Sequence, residues 1–305
     1  MQSPDYDPDT WRQILDRVAE ANAMGARLYP QVSSRPIGFL SGLSGYHAFM
    51  RRPTYIEKLA HLPLAERAAE MAKPEIRAAL MREESVRPEA PGSMENVYGL
   101  FGRAAPLFYP MADPVELEPG REQSLGAEAA RLGKDPLDHL YDFLISEGGT
   151  RFASLSTADI PDRMNVLKDM LANEHTVTGL SDAGAHVTLI CDGTMPTTQL
   201  TYWARDRQGE SLPLEFLVEK QTRRNARLYG LNDRGTLEPG MKADVNVIDH
   251  EKLTVGPPIA HDDLPAGGTR LLQPVKGYLA VFNNGVQTRA NDADTGARPG
   301  RLVRA

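Results

Sequence analysis

The chain has 305 residues, carries 34 Lys plus Arg against 41 Asp plus Glu for a formal net charge of −7, and is 41% apolar and 25% charged. A chain this long can bury roughly three quarters of its unfolded surface in one large or two medium domains, and so ordinary a composition excludes wholesale disorder and the fibrous classes. The acidic balance, with Lys and Arg scattered among acids, argues against a nucleic-acid partner; a single cysteine, Cys191, excludes an intramolecular disulfide and a thiolate metal cluster and fits a reducing cytoplasm.

The first ten residues hold neither a basic run nor an apolar stretch, so they read as neither signal peptide nor anchor. Nothing later approaches the ~20 apolar residues of a membrane span, and a soluble chain with no membrane partner is expected. Trp11, Ile14, Leu15, Val18 and Ala19 share one face of a helix that starts near Asp7-Pro8 and stops at Gly25. It feeds a strand over 27–32, one half of a βα repeat, and a long loop follows from Ser33 to Gly45.

Thr54 to Glu84 reads as helical, opening on the capping-box pattern Thr54-x-x-Glu57 and continuing through Pro63 and Pro74 as first-turn prolines. Val86 to Pro119 carries six prolines and reads as a long irregular insertion of the kind that often has a function. Pro136 then opens a helix with Leu137, Leu140, Tyr141, Leu144 and Ile145 on one face, ended by Gly148-Gly149. A strand over 152–155, a helix over 162–173 and a second strand over 176–180 complete an alternation that implies a parallel sheet, open or closed into a barrel. Past Thr222 a helix runs to Tyr229, then the turn Glu238-Pro239-Gly240 and the alternating stretch 243–249 lead into short strands. The expected domain change therefore lies near residue 230, with Pro257-Pro258 and 265–268 as loops in the second part.

Chemistry is sought first in Gly179-Leu180-Ser181-Asp182-Ala183-Gly184-Ala185-His186, because an aspartate past the C-terminal end of a parallel strand stands where barrel enzymes place catalytic groups. A carboxylate there can ligate a divalent metal and exchange protons with a bound water; it can equally cap the turn that follows.

That stretch, together with 221–249, including Gly235-Thr236-Leu237-Glu238-Pro239-Gly240-Met241-Lys242-Ala243-Asp244, and with the tail 295–304, resembles the amidohydrolase superfamily in its N-acyl-D-amino-acid deacylase (D-aminoacylase) branch. The resemblance runs from about Gly25 to the end. It implies an α/β fold: a partial (β/α)8 barrel over 1–230, about its strands seven and eight, followed by part of a small β-sandwich over 231–305. It further implies one or two zinc ions at the barrel mouth and hydrolysis of a small-molecule amide such as an N-acylated amino acid. Asp182 matches the strand-eight aspartate of such enzymes, a metal ligand and general acid and base. Asn225, Asp233, Pro239, Gly240 and Asp244 match the return from barrel to sandwich and are expected to be structural.

The family's first barrel strand ends in His-x-His, and none of this chain's seven histidines forms that pattern. One aspartate does not hold a catalytic zinc, which takes three protein ligands. The chain alone is thus expected not to retain zinc, and an N-terminal half or second subunit is expected to supply the histidines; a non-catalytic fragment is the other reading. Arg35, just past strand seven, could grip a substrate carboxylate in a bidentate fork or form a sheet-end ion pair. Tyr29 could line the same mouth or lie in the core, and His186 could approach metal or substrate. His175, before its strand, belongs to the structural face. Cys191 reads as a small buried hydrophobe, Trp203 as helix packing, and Gly99-Leu100-Phe101-Gly102 lacks the lysine of a phosphate loop. No arginine for a substrate carboxylate occurs between Cys191 and Tyr202.

Overall fold

A computed structural model describes residues 9–156, 160–181 and 186–302. Helix α1 (Thr10–Ala23) buries Trp11, Leu15 and Val18, and Gly25 follows it at φ 98°. Beyond it, Leu28 N–H donates to Asn22 Oδ1 and Asn22 Nδ2 donates to Leu28 O, both at about 3 Å. This local clasp takes the hydrogen bonds a sheet would need, so the expected six-residue strand shortens to β1 (Gln31–Val32). The loop expected next holds an unforeseen strand, β2 (Gly38–Ser41).

Helices α2 (Leu64–Met71), α3 (Pro74–Arg82) and α4 (Val97–Arg103) follow, with Pro74 at a first turn as expected. The capping box at Thr54 does not form: its backbone N–H donates to Glu83 Oε2 at 3.0 Å and its hydroxyl to the other oxygen of that carboxylate, a partner the local sequence could not announce. Strand β3 (Tyr109–Pro110) precedes α5 (Leu125–Leu132) and α6 (Pro136–Ile145), the latter capped by Asp135, whose side chain accepts from Leu137 and Asp138 N–H. Strand β4 (Ala153–Ser156), helix α7 (Ile160–Ala172) and strand β5 (Val177–Thr178) then complete the helix–strand rhythm.

Among the described residues the parallel sheet comprises β1 and β5, in register Gln31 to Val177 and Val32 to Thr178. Strand β4 instead lies antiparallel between β2 and β3, contrary to the expected parallel role. Gly38 permits that approach, since a Cβ there would stand 2.6 Å from Leu155 O. The β2–β4 sheet is two-faced. Phe39, Ala153 and Leu155 join a core with Phe49, Phe101, Phe108 and Tyr141, and the alternate positions face the other way.

Helices α8 (Met195–Thr201), α9 (Leu214–Glu219) and α10 (Asn225–Leu228) lead into the all-β tail. There β6 (Val245–Ile248), β11 (Tyr278–Asn283), β12 (Val286–Ala290) and β13 (Ala293–Asp294) form an antiparallel sheet in the order β13-β12-β11-β6. Strand β7 (Thr254–Val255) pairs β10 (Val275–Lys276), and β8 (Ile259–Leu264) pairs β9 (Gly268–Leu272) around the expected loop at Pro265. A second core gathers Trp11, Leu15, Val32, Leu167, Leu171, Trp203 and Leu217 with Leu253 of the tail, so segments on both sides of residue 230 share it. Among the described residues no helix is long and apolar enough to cross a membrane.

Lys220 is fully buried at the foot of β5, and its ammonium donates to Asn173 O, Thr176 O and Thr176 Oγ1 at 3.2, 3.0 and 2.8 Å. Burial, reinforced by Arg224, nevertheless pulls it from the ordinary 10.5 down to about 7. Between those values the unfolded chain holds a proton that the folded chain has released, so stability rises with pH across that window and levels off below it. Denaturation midpoints at pH 7.5 and 9.5 should therefore favour the wild type over Lys220→Met at the higher pH, with a slope of at most about 1.4 kcal/mol per pH unit; a pH-independent difference between the two proteins would refute this.

Candidate functional site

The chain leaving β1 enters a buried polar knot. Arg35, only 7% exposed, donates through Nη2 to Cys191 O (2.7 Å), Asp192 Oδ1 (3.0 Å) and Gln273 Oε1 (3.0 Å), and through Nη1 to Thr194 and Thr198 Oγ1 (3.3 and 3.4 Å). Gln273 is fixed in turn, accepting from the Thr194 hydroxyl at 2.6 Å and donating to Gly256 O at 3.1 Å. Ser34 donates to Met195 O at 2.7 Å and its carbonyl accepts from the Trp203 indole N–H at 2.6 Å. Past β5, the Ser181 hydroxyl donates to Gly193 O at 3.2 Å. The segment 191–195 is thereby tied to the C-terminal ends of both parallel strands, where α/β proteins place their ligands.

Beside this knot lies a cavity of about 220 Å³. Its floor is the second face of the β2–β4 sheet: Gly38 and Leu40 from one strand, Ser154 and Ser156 from the other. Arg35, Cys191, Asp192 and Gln273 form one wall; Met111, Val115, Leu117 and Pro119 of the proline-rich insertion form the opposite wall, and Glu116 and Gln123 stand at the rim. The insertion is pinned by Glu118, whose Oε1 accepts from Arg207 Nε at 2.6 Å and from the Tyr202 hydroxyl. Arg207 also stacks 5.0 Å over the Trp203 ring and donates to Asn165 Oδ1 at 2.8 Å. Cys191 Sγ lies 3.4 Å from Leu271 O, and burial pushes the thiol up to about 11, so at neutral pH it is a protonated wall group rather than a nucleophile.

Of the described residues proposed from sequence to bind metal or substrate, the structure brings Arg35 alone to this cavity, in the ion-paired arrangement; Cys191, read as a small buried hydrophobe, lines its wall. Tyr29 precedes β1, at the other end of that strand, and is 42% exposed. His186 is exposed at φ 50°, its carbonyl accepting from Leu189 and Ile190 N–H at 2.7 and 2.9 Å; it does not line the cavity. Asp182 lies outside the described residues. Sequence reasoning weighed Cys191-Asp192 as a nucleophile or extra ligand and set it aside, and it passed over Gln273, Ser154, Ser156 and Glu116. The serines were legible, since they alternate with Ala153 and Leu155 in a short strand, whereas Gln273 meets Arg35 across 238 residues of sequence and leaves no local signal.

Four of the described histidines are engaged elsewhere. His47 is fully buried and pushed down to about 3 by burial and by the Arg67 guanidinium; its Nδ1 accepts from Phe49 N–H at 3.2 Å, and its ring meets Tyr55 edge-on at 4.6 Å. His139 Nε2 lies 3.1 Å from Glu128, His175 Nδ1 lies 3.4 Å from Asn22 Nδ2, and His250 Nε2 lies 3.0 Å from Leu200 O. Among the described residues no three His, Cys, Asp or Glu side chains stand close enough to hold a metal ion. Those residues therefore do not by themselves fit the metal centre that the sequence resemblance implies.

The model of the amidohydrolase family matches residues 4–286. The chain belongs to the amidohydrolase family. Among similar proteins, an imidazolonepropionase of Paracoccus denitrificans is 35% identical over 166 residues, covering 51% of this amidohydrolase and 39% of that protein. An uncharacterized protein of Mycobacterium tuberculosis is 35% identical over 130 residues, covering 42% and 21%. A D-aminoacylase crystal structure is 25% identical over 62% of this chain and 36% of its own, with a TM-score of 0.33. Another, solved in a study of the binuclear metal center of D-aminoacylase, is 22% identical over 79% and 46%, also with a TM-score of 0.33. The chain spans less than half the length of each of these relatives.

Proposed function

We propose that the chain is part of a metal-dependent hydrolase of carbon–nitrogen bonds other than peptide bonds, similar to the N-acyl-amino-acid deacylases and acting on a small-molecule amide. The observation that carries the reading is the family match across residues 4–286. The parallel pair β1–β5 supports it, with a small hollow beside the C-terminal end of β1 and a candidate acid–base residue, Asp182, shortly past the end of β5 in sequence. In this reading residues 1–230 are part of a (β/α)8 barrel and 231–305 part of a small β-sandwich.

The chain's own residues would divide the work as follows. Arg35 and Gln273 hold the wall at 191–194, the insertion pinned by Glu118 keeps water from the substrate, and Asp182 moves a proton to the leaving amine. Zinc, in one or two ions with Asp182 among its ligands, is the metal proposed from the family, where it would activate water and polarise the amide carbonyl. The described residues by themselves assemble no ligand set for it.

That same observation, with the short span relative to known relatives, favours one further reading: the chain is a subunit of a split enzyme whose N-terminal half or partner supplies the histidines. Zinc content and amide hydrolysis should be measured on the purified chain, alone and with the products of neighbouring reading frames. Zinc and turnover appearing only in the combination support the split enzyme, and stoichiometric zinc with turnover in the chain alone refutes it. Hydrolysis in neither sample withdraws the hydrolase reading.

A further inference from the structure

The charges around the cavity are unequal. Among the described lining residues Arg35 is the sole cation, facing two carboxylates, Asp192 and Glu116. The guanidinium is already committed: Nη2 serves three acceptors and Nη1 two, and Asp192 neutralises it at 3.0 Å. A carboxylate entering the cavity would have to break that knot or remain unpaired, and an unpaired buried anion is among the costliest groups a protein can hold. Glu116 at the rim adds repulsion, its own oxygen accepting from Gln123 Nε2 at 3.0 Å.

The rest of the lining is suited to an uncharged guest. Leu40, Met111, Val115 and Leu117 offer apolar surface, while the Ser154 hydroxyl on the floor can donate to a carbonyl or accept from an amide. At about 220 Å³ the hollow is smaller than the roughly 300–1,000 Å³ that house a drug-sized molecule, so it matches one moiety of a substrate.

We infer that this cavity receives a neutral, largely apolar group, the acyl side of the proposed amide, and turns anions away. The assignment to an acyl group rests on the amide-hydrolase reading; the selectivity rests on the cavity alone and is measured without metal or turnover, so the two fail separately.

The test is equilibrium binding of hexanamide and hexanoate to the full chain near pH 7.5, followed by ligand-observed NMR. Hexanamide should saturate, with hexanoate roughly tenfold or more weaker, a gap of about 1.4 kcal/mol. Ser154→Leu, which fills the floor, should remove hexanamide binding. Glu116→Lys, at the exposed rim, should narrow or reverse the gap. Hexanoate binding as tightly as hexanamide overturns the inference, as does failure of hexanamide to saturate or a gap that ignores Glu116→Lys in a folded protein.

Discussion

Exchange of Arg35 for Met should lower the unfolding free energy by about 3–5 kcal/mol, read as a shift of the urea midpoint at unchanged m-value. Both partners of the ion pair are nearly closed to solvent, Arg35 at 7% and Asp192 at 6% exposure, so the truncation leaves a buried carboxylate without its counter-ion. It also strips donors from Cys191 O, Gln273, Thr194 and Thr198, which join the segment after β1 to the start of α8 and to the tail. Asp192→Asn in the Arg35→Met background should restore part of the loss by removing the stranded charge, a coupling that a double-mutant cycle isolates. A loss below about 1 kcal/mol would mean that water reaches the pair and screens it as at a surface.

Sequence made the helices more legible than the sheets. Helix α1 and α6 each advertise a burial stripe at helical spacing, and α6 also announces its start with Asp135-Pro136, so local chemistry and tertiary packing agree. Strands of two to four residues carry too little period to declare their partners. The residues of β2 read as part of a long loop, yet the missing side chain of Gly38 lets β4 approach. The direction of β4 depended on β2 and β3, tens of residues away in sequence. Site residues divide along the same line. Arg35 stood out from its position after a strand, but what occupies its guanidinium came from residues 191–198 and 273, and only folding assembles those into one wall.

On the proposed hydrolase reading, Asp182→Asn should reduce turnover of whichever metal-loaded preparation hydrolyses the amide by about 100- to 10,000-fold, with KM little changed and the acid limb of the pH–rate profile lost. The carboxamide keeps the size and one carbonyl oxygen of the carboxylate but takes up no proton at working pH, so the leaving amine departs unprotonated. This substitution also separates the two roles that sequence leaves open for the residue. Asn and Asp are about equally good as helix and turn caps. If Asp182 merely caps the turn after Ser181, the variant should melt with the wild type and retain its turnover. If it moves the proton, the variant should melt with the wild type and lose its turnover. Equal stability is therefore expected either way, and rate alone decides: turnover within about threefold of the wild type would remove Asp182 from the chemistry, because general acid–base groups seldom contribute so little.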